Sequence, residues 1–210
     1  MANIVAIFAH PDDESFGPGG TLAKLSKEHD VYIICVTSGD KGGNPKVREK
    51  ELLDSAEILG IKEVFYLRYG DGDLSNNLYH AIADSVIKIL DKLQPIKVIT
   101  FEMRGVSGHI DHVAISMITT YLFEMKNYIN EAWYFCISKE HRSLIDDYFI
   151  CFPPGYEKNE VDVIVDVSEV WSQRIQAINC HTSQEKDMRE TLSELNILPK
   201  EEYFLVKKKD

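Results

Sequence analysis

Residues 3–14 read Asn3-Ile4-Val5-Ala6-Ile7-Phe8-Ala9-His10-Pro11-Asp12-Asp13-Glu14. The first six form a short run rich in β-branched residues and apolar from Ile4 onward, too few for a buried helix, and predict a strand covered on both faces, as in a parallel sheet. The A-H-P-D-D-E that closes the run places one imidazole and three carboxylates ahead of a glycine-rich turn, Gly17-Pro18-Gly19-Gly20-Thr21. In an open α/β sheet, ligands and catalytic groups collect just outside the carboxyl ends of the strands. This stretch therefore predicts a sheet and marks the edge where chemistry belongs.

Working outward, the same short apolar signal recurs at residues 31–36, 63–67, 96–101 and 131–137. Between these runs, Leu78, Ile82, Val86, Ile89 and Leu93 fall at helical spacing. Residues 48–59 predict a shorter helix with Gly60 as its C-cap, and residues 113–123 another. Strands alternating with helices give an α/β class: a Rossmann-like three-layer α/β/α arrangement around a mainly parallel sheet. The C-terminal third is less regular. It offers a turn at Pro153-Pro154-Gly155, strands at 161–167 and 203–206, and a helix N-capped by Ser168 and running to Ala177. Without internal repeats or low-complexity segments, residues 1–210 are expected to form a single domain.

Composition narrows the function classes. A net charge of −11 argues against attraction to nucleic acid or anionic lipid. The longest apolar runs are too short to span a bilayer, so no transmembrane segment is expected. No basic-then-apolar leader is visible, which makes a cytoplasmic location the default expectation. The four cysteines, Cys35, Cys136, Cys151 and Cys180, are scattered and suggest neither a disulfide framework nor a structural metal cage. A small-molecule substrate is the natural partner, with homo-oligomerisation left open.

A catalytic zinc ion needs three protein ligands and an open position. His10 and Asp13 supply two, from the turn after the first strand. His112, in Gly108-His109-Ile110-Asp111-His112 after the fourth, supplies the third. Alone, H-x-x-D is an ordinary surface turn and H-x-D-H an ordinary helix start. Found together at strand ends of one α/β chain, they point to a metal. Asp12 is then free to accept a proton, and His109 to face an oxyanion or a leaving amine. Asp111 is expected to orient His109, and the glycine-rich turn to bring backbone close to the substrate. Asp40 after the second strand, Arg48, Asp71 and His181 are candidate substrate contacts. Each has a plainer reading as turn, surface ion pair or helix-end partner. Glu14 is left to support the turn or the next helix.

Ala9–Leu22 (A-H-P-D-D-E-S-F-G-P-G-G-T-L) and G-H-I-D-H closely resemble the motifs of the LmbE-like (PIG-L) family of zinc-dependent de-N-acetylases. Thr37-Ser38-Gly39-Asp40-Lys41-Gly42, Arg48-Glu49-Lys50-Glu51 and His181-Thr182-Ser183-Gln184 resemble three further family elements in the same order. The resemblance implies Zn2+ on His10, Asp13 and His112, other divalent metals remaining open. It also implies Asp12 as general base and His109, supported by Asp111, facing the oxyanion and amine. Its implied reaction is removal of acetyl from an N-acetylglucosamine unit. Arg48 would meet the non-sugar portion and Asp71 the sugar hydroxyls. Rival readings are hydrolysis of a different N-acyl amide, or a sugar- or nucleotide-binding module with a vestigial metal site. Residues 138–165 match no family element.

Overall fold

The computed structural model describes residues 1–146 and 149–209. Among them, seven strands form one sheet: β1 (Asn3–Phe8), β2 (Asp30–Thr37), β3 (Glu63–Tyr69), β4 (Lys97–Phe101), β5 (Glu131–Cys136), β6 (Val163–Asp166) and β7 (Glu201–Lys208). Their order is β3-β2-β1-β4-β5-β7-β6. β1 to β5 pair in parallel, while β7 runs antiparallel to both β5 and β6. β1 lies between β2 and β4, so chain direction across the sheet reverses there. The loops after β1 and β4 then face one crevice.

The helices are α1 (Asp13–Phe16), α2 (Gly19–Leu25), α3 (Pro45–Leu59), α4 (Tyr79–Leu93), α5 (Gly105–Gly108), α6 (Ile110–Met125), α7 (Lys139–Arg142), α8 (Trp171–Ile178) and α9 (Glu185–Leu195). Successive side chains of a strand point to opposite faces. Val5 and Ile7 accordingly join Ile82, Val86 and Leu90 of α4 and Ile115, Ile118 and Leu122 of α6. Ile4, Ala6 and Phe8 join Leu22 of α2 and Leu52 of α3 on the other side. Each of these Val, Ile, Leu and Phe side chains, fully withdrawn from water, contributes about 1.5–3 kcal/mol. The expected three layers are present.

The C-terminal third is tied to the first motif by a buried ion pair. Arg174 of α8 meets Glu202 of β7 at 3.1 Å, and its guanidinium also donates to the carbonyls of Phe16 and Gly17. Glu202 accepts the amides of Gly20 and Thr21 in the first turn of α2, at 2.8 and 2.7 Å. This corrects one expectation. Gly20 and Thr21 turn their amides to Glu202 rather than to a ligand, and a Cβ on Gly20 would strike Val167.

Three further details depart from the sequence reading. α3 begins at Pro45, because Asn44 caps it by accepting the Lys46 amide. Ser168 opens a 3-10 turn whose amide is accepted by Asp166, and α8 starts only at Trp171. α9 was not anticipated.

Candidate active site

The polypeptide leaves β1 through Ala9 and His10, and α1 begins at Asp13. Between them, Asp12 adopts φ 116°, a conformation that costs a non-glycine residue about 1–3 kcal/mol. Its surroundings hold it there. The Asp12 amide donates to Glu14 Oε2 at 3.0 Å, and its carbonyl accepts from the amides of Ser15 and Phe16. Arg48 Nη2, from α3, donates to Asp12 Oδ2 at 2.7 Å. Across the crevice, His109 N-caps α6 by accepting the Asp111 amide on Nδ1 at 3.1 Å, which sets His112 in the first turn.

His10, Asp13 and His112 converge. His10 Nδ1 lies 3.1 Å from His112 Nε2, which lies 3.2 Å from Asp13 Oδ1. Donors around a tetrahedral ion at about 2.0–2.1 Å stand about 3.3 Å apart. The hydrogen-bond network assigns the lone pairs. His10 Nε2 faces Asp71 Oδ1 at 3.1 Å and Asp111 Oδ2 at 3.3 Å, so it carries the proton and leaves Nδ1 bare. His112 Nδ1 donates to the Gly105 carbonyl at 3.1 Å and leaves Nε2 bare. Asp13 Oδ2 accepts the amides of Ala9 and His10, leaving Oδ1 to the site. Two bare imidazole nitrogens and a carboxylate oxygen aimed at one point repel unless a cation lies between them. The donor set fits a divalent metal.

Charge at the site is unevenly held. Burial opposes a charge on His10, yet hydrogen bonds to Asp111 and Asp71 and the charges of Asp13 and Asp12 carry its pKa up to about 10. This favours a second proton on Nδ1 that a metal bound there would displace. Burial also opposes ionised Asp13, but His112 and His10 hold its carboxyl far below the usual range. Burial pushes Asp12 up to about 7, with Asp13 adding to the rise and Arg48 opposing it. His109 is pushed down to about 4 by burial and by the charges of His112 and His10.

The other predicted residues divide. Asp71 reaches the site, but as a partner of His10 Nε2. Asp111 does not orient the His109 ring through its carboxylate. That carboxylate accepts the amides of Gly72 and Leu74 and faces His10, and only the Asp111 backbone reaches His109. Arg48 borders the cavity with its guanidinium committed to Asp12, Pro11 and Gly39. Asp40 accepts the Asp71 amide and does not line the cavity. His181 is fully buried, its Nε2 2.7 Å from Glu14 Oε1. Glu14 therefore links His181 and Ser55 to the Asp12 amide.

The cavity in front of these groups encloses about 330 Å³. Phe101, Phe135, Phe149 and Phe152 line it, and α9 contributes Asp187, Glu190, Thr191 and Glu194. Sequence reasoning missed both. Met188, Leu192 and Leu195 follow helical spacing, but three apolar residues among charged ones were too sparse a signal. Within residues 138–165, which match no family element, His141, Ile145, Phe149 and Phe152 join the wall; residues 147 and 148 lie outside the described residues.

Comparison with known proteins gives the lineage. The family model for PIG-L, described as GlcNAc-PI de-N-acetylase, matches residues 5–123, more than half the chain and both histidine motifs. The chain belongs to the PIG-L family. A probable N-acetyl-alpha-D-glucosaminyl L-malate deacetylase 2 of Bacillus cereus is 29% identical over 202 residues, covering 90% of this chain and 86% of that protein. The PIG-L fold here is similar to N,N'-diacetylchitobiose deacetylase from Pyrococcus horikoshii, with TM-score 0.73, 24% identity and coverage of 99% and 84%. It is also similar to GalB, the 4-carboxy-2-hydroxymuconate hydratase of Pseudomonas putida, with TM-score 0.72, 16% identity and coverage of 100% and 98%. One fold thus accompanies two chemistries, and the reaction must be argued from the site.

Proposed function

We propose that this protein is a metal-dependent hydrolase that removes the N-acetyl group from an N-acetylglucosamine derivative, yielding acetate and a free amine. The convergence of His10 Nδ1, His112 Nε2 and Asp13 Oδ1 beside Asp12 carries this reading. The names of the relatives support the amino-sugar substrate. Two imidazoles and one carboxylate suit zinc, which we take as the metal. A divalent ion held there would polarise the acetamide carbonyl and acidify water.

The remaining work falls to this chain's own side chains. With a pKa near 7, Asp12 is matched to exchange a proton at neutral pH. It takes the proton as the water oxygen bonds to the carbonyl carbon, then returns one to the nitrogen as the C–N bond breaks. Arg48 holds the Asp12 carboxylate in line. The ring of His109 accepts on Nδ1, so its neutral form keeps the proton on Nε2 and donates it to the developing oxyanion. Asp71 and Asp111 fix the ring of His10. Glu14 and His181 support the strained turn from behind.

We read residues 1–210 as one domain acting in the cytoplasm, with homo-oligomerisation open. Among the described residues, no helix is long and apolar enough to cross a membrane. The test is acetate and free-amine release from an N-acetylglucosaminide. Wild type should turn over, and Asp12→Asn should lose about 10²–10⁴-fold in kcat while binding metal. An Asp12→Asn protein of undiminished activity would overturn the assignment of the base.

A further inference from the structure

The relative from Bacillus cereus is named for a substrate whose non-sugar part, L-malate, is a dicarboxylate. A site for such an aglycone needs cations. Among the described residues lining this cavity, Arg48 carries the one guanidinium and no lysine is present. Arg48 is buried and donates to the carbonyls of Pro11 and Gly39 and to Asp12 Oδ2. His141 faces Glu194 Oε2 at 3.0 Å. Just outside the lining, Arg142 lies over the Phe152 ring and donates to the carbonyls of Pro153 and Ile145.

What the cavity offers instead is a set of aromatic rings and a set of carboxylates. Phe149 meets His109 edge-on, with ring centroids 5.0 Å apart, so the aromatic lining reaches to where the sugar's reacting group would sit. Positions 187, 190, 191 and 194 also line the cavity, as one stripe of α9 at i, i+3, i+4 and i+7. Three of those four residues are carboxylates, and Asp187 and Glu190 are exposed. Lys186 approaches Glu190 only at 3.7 Å, from a side chain that is 83% exposed. An ion pair so open to water leaves most of the stripe's negative potential in place.

We propose that the aromatic and acidic lining of this cavity selects an uncharged aglycone with a flat apolar face, and rejects anionic ones, with Asp187 and Glu190 as specificity-determining residues. The inference rests on the deacetylase reading and names the substrate class for the same site. A flat apolar face gains from aromatic contact without needing a cation. A dicarboxylate would enter against like charges, and the one lining guanidinium already spends both terminal nitrogens on Gly39, Pro11 and Asp12, with only its buried Nε unpartnered. An aryl group and the apolar face of a second sugar ring share the required chemistry.

The experiment compares four N-acetylglucosaminides: the phenyl glycoside, N,N'-diacetylchitobiose, the L-malate glycoside and the 1-phosphate. Acetate release gives kcat/KM, and calorimetry gives binding for each. The uncharged pair should exceed the anionic pair at least tenfold in kcat/KM, the phenyl and sugar arms separating the two sources. The double variant Asp187→Asn, Glu190→Gln should raise kcat/KM on the malate glycoside about fivefold or more and narrow its gap to the phenyl glycoside. Both residues are exposed on a helix, so the change leaves the fold intact. Equal or better use of the malate glycoside, or an unchanged ratio in the double variant, would overturn the proposal. If no glycoside releases acetate, the deacetylase reading falls. The binding order then decides the specificity by itself, with tighter uncharged ligands supporting it and tighter or equal anionic ones refuting it.

Discussion

Asp12 and Asp13 adjoin in sequence and differ in every contact that matters. Asp13 has one oxygen tied down by two backbone amides and the other facing His112. Asp12 is held in a left-handed turn by Glu14 and met by Arg48. That turn depends on a residue from far along the chain, because Glu14 is itself buried against His181 and Ser55. Removing one member of a buried ion pair leaves an uncompensated charge and costs about 3–5 kcal/mol. We expect His181→Ala to lose stability on that scale in urea unfolding, with a larger loss than Asp40→Ala. Equal, small losses would mean that Glu14 does not rely on His181. That His10, Asp12, Asp13, His109 and His112 would gather at one cavity was legible from two short motifs. Burial of His181 was not, since its spacing cannot say which side of the turn it approaches.

At the level of elements, α3 serves the site through one face, presenting Arg48, Glu51 and Ser55. Gly39, at φ +63°, lies against the Arg48 guanidinium, and a Cβ there would collide with Nη1. Gly39→Ala should therefore dislodge Arg48 from Asp12 and lower kcat about tenfold or more, while circular dichroism stays unchanged. A Gly39→Ala enzyme with normal kcat would show that Arg48 does not hold the base. The parallel strands and the long helices were visible as periodic runs because each buries a continuous face. Antiparallel β7 was visible only as an apolar stretch at 203–206, for strand direction leaves no local trace. α9 escaped notice because its outward faces outnumber its buried one, although it shapes the cavity more than α4, whose pattern was plain.

For the molecule as a whole, β1 between β2 and β4 places the two histidine motifs opposite one another, and β7 with α8 clamps the first motif through Glu202 and Arg174. The metal would join the same two halves of the crevice, so binding and folding are linked. At a hundredfold excess over its dissociation constant, a ligand specific for the folded state adds about 2.7 kcal/mol. Stripping metal with a chelator should lower the midpoint of thermal unfolding, and zinc should restore it. His112→Ala should show neither change. An unchanged midpoint on chelation in wild type would argue against a metal bridging the crevice.

The central claim is that His10, Asp13 and His112 hold a metal that the acetyl-removing reaction requires. Titrating metal-free protein with zinc while following acetate release from an N-acetylglucosaminide tests it directly. The account predicts activity rising from background to a plateau at one ion per chain, and no rise in His112→Ala. Full activity in protein shown by elemental analysis to be free of metal would contradict it.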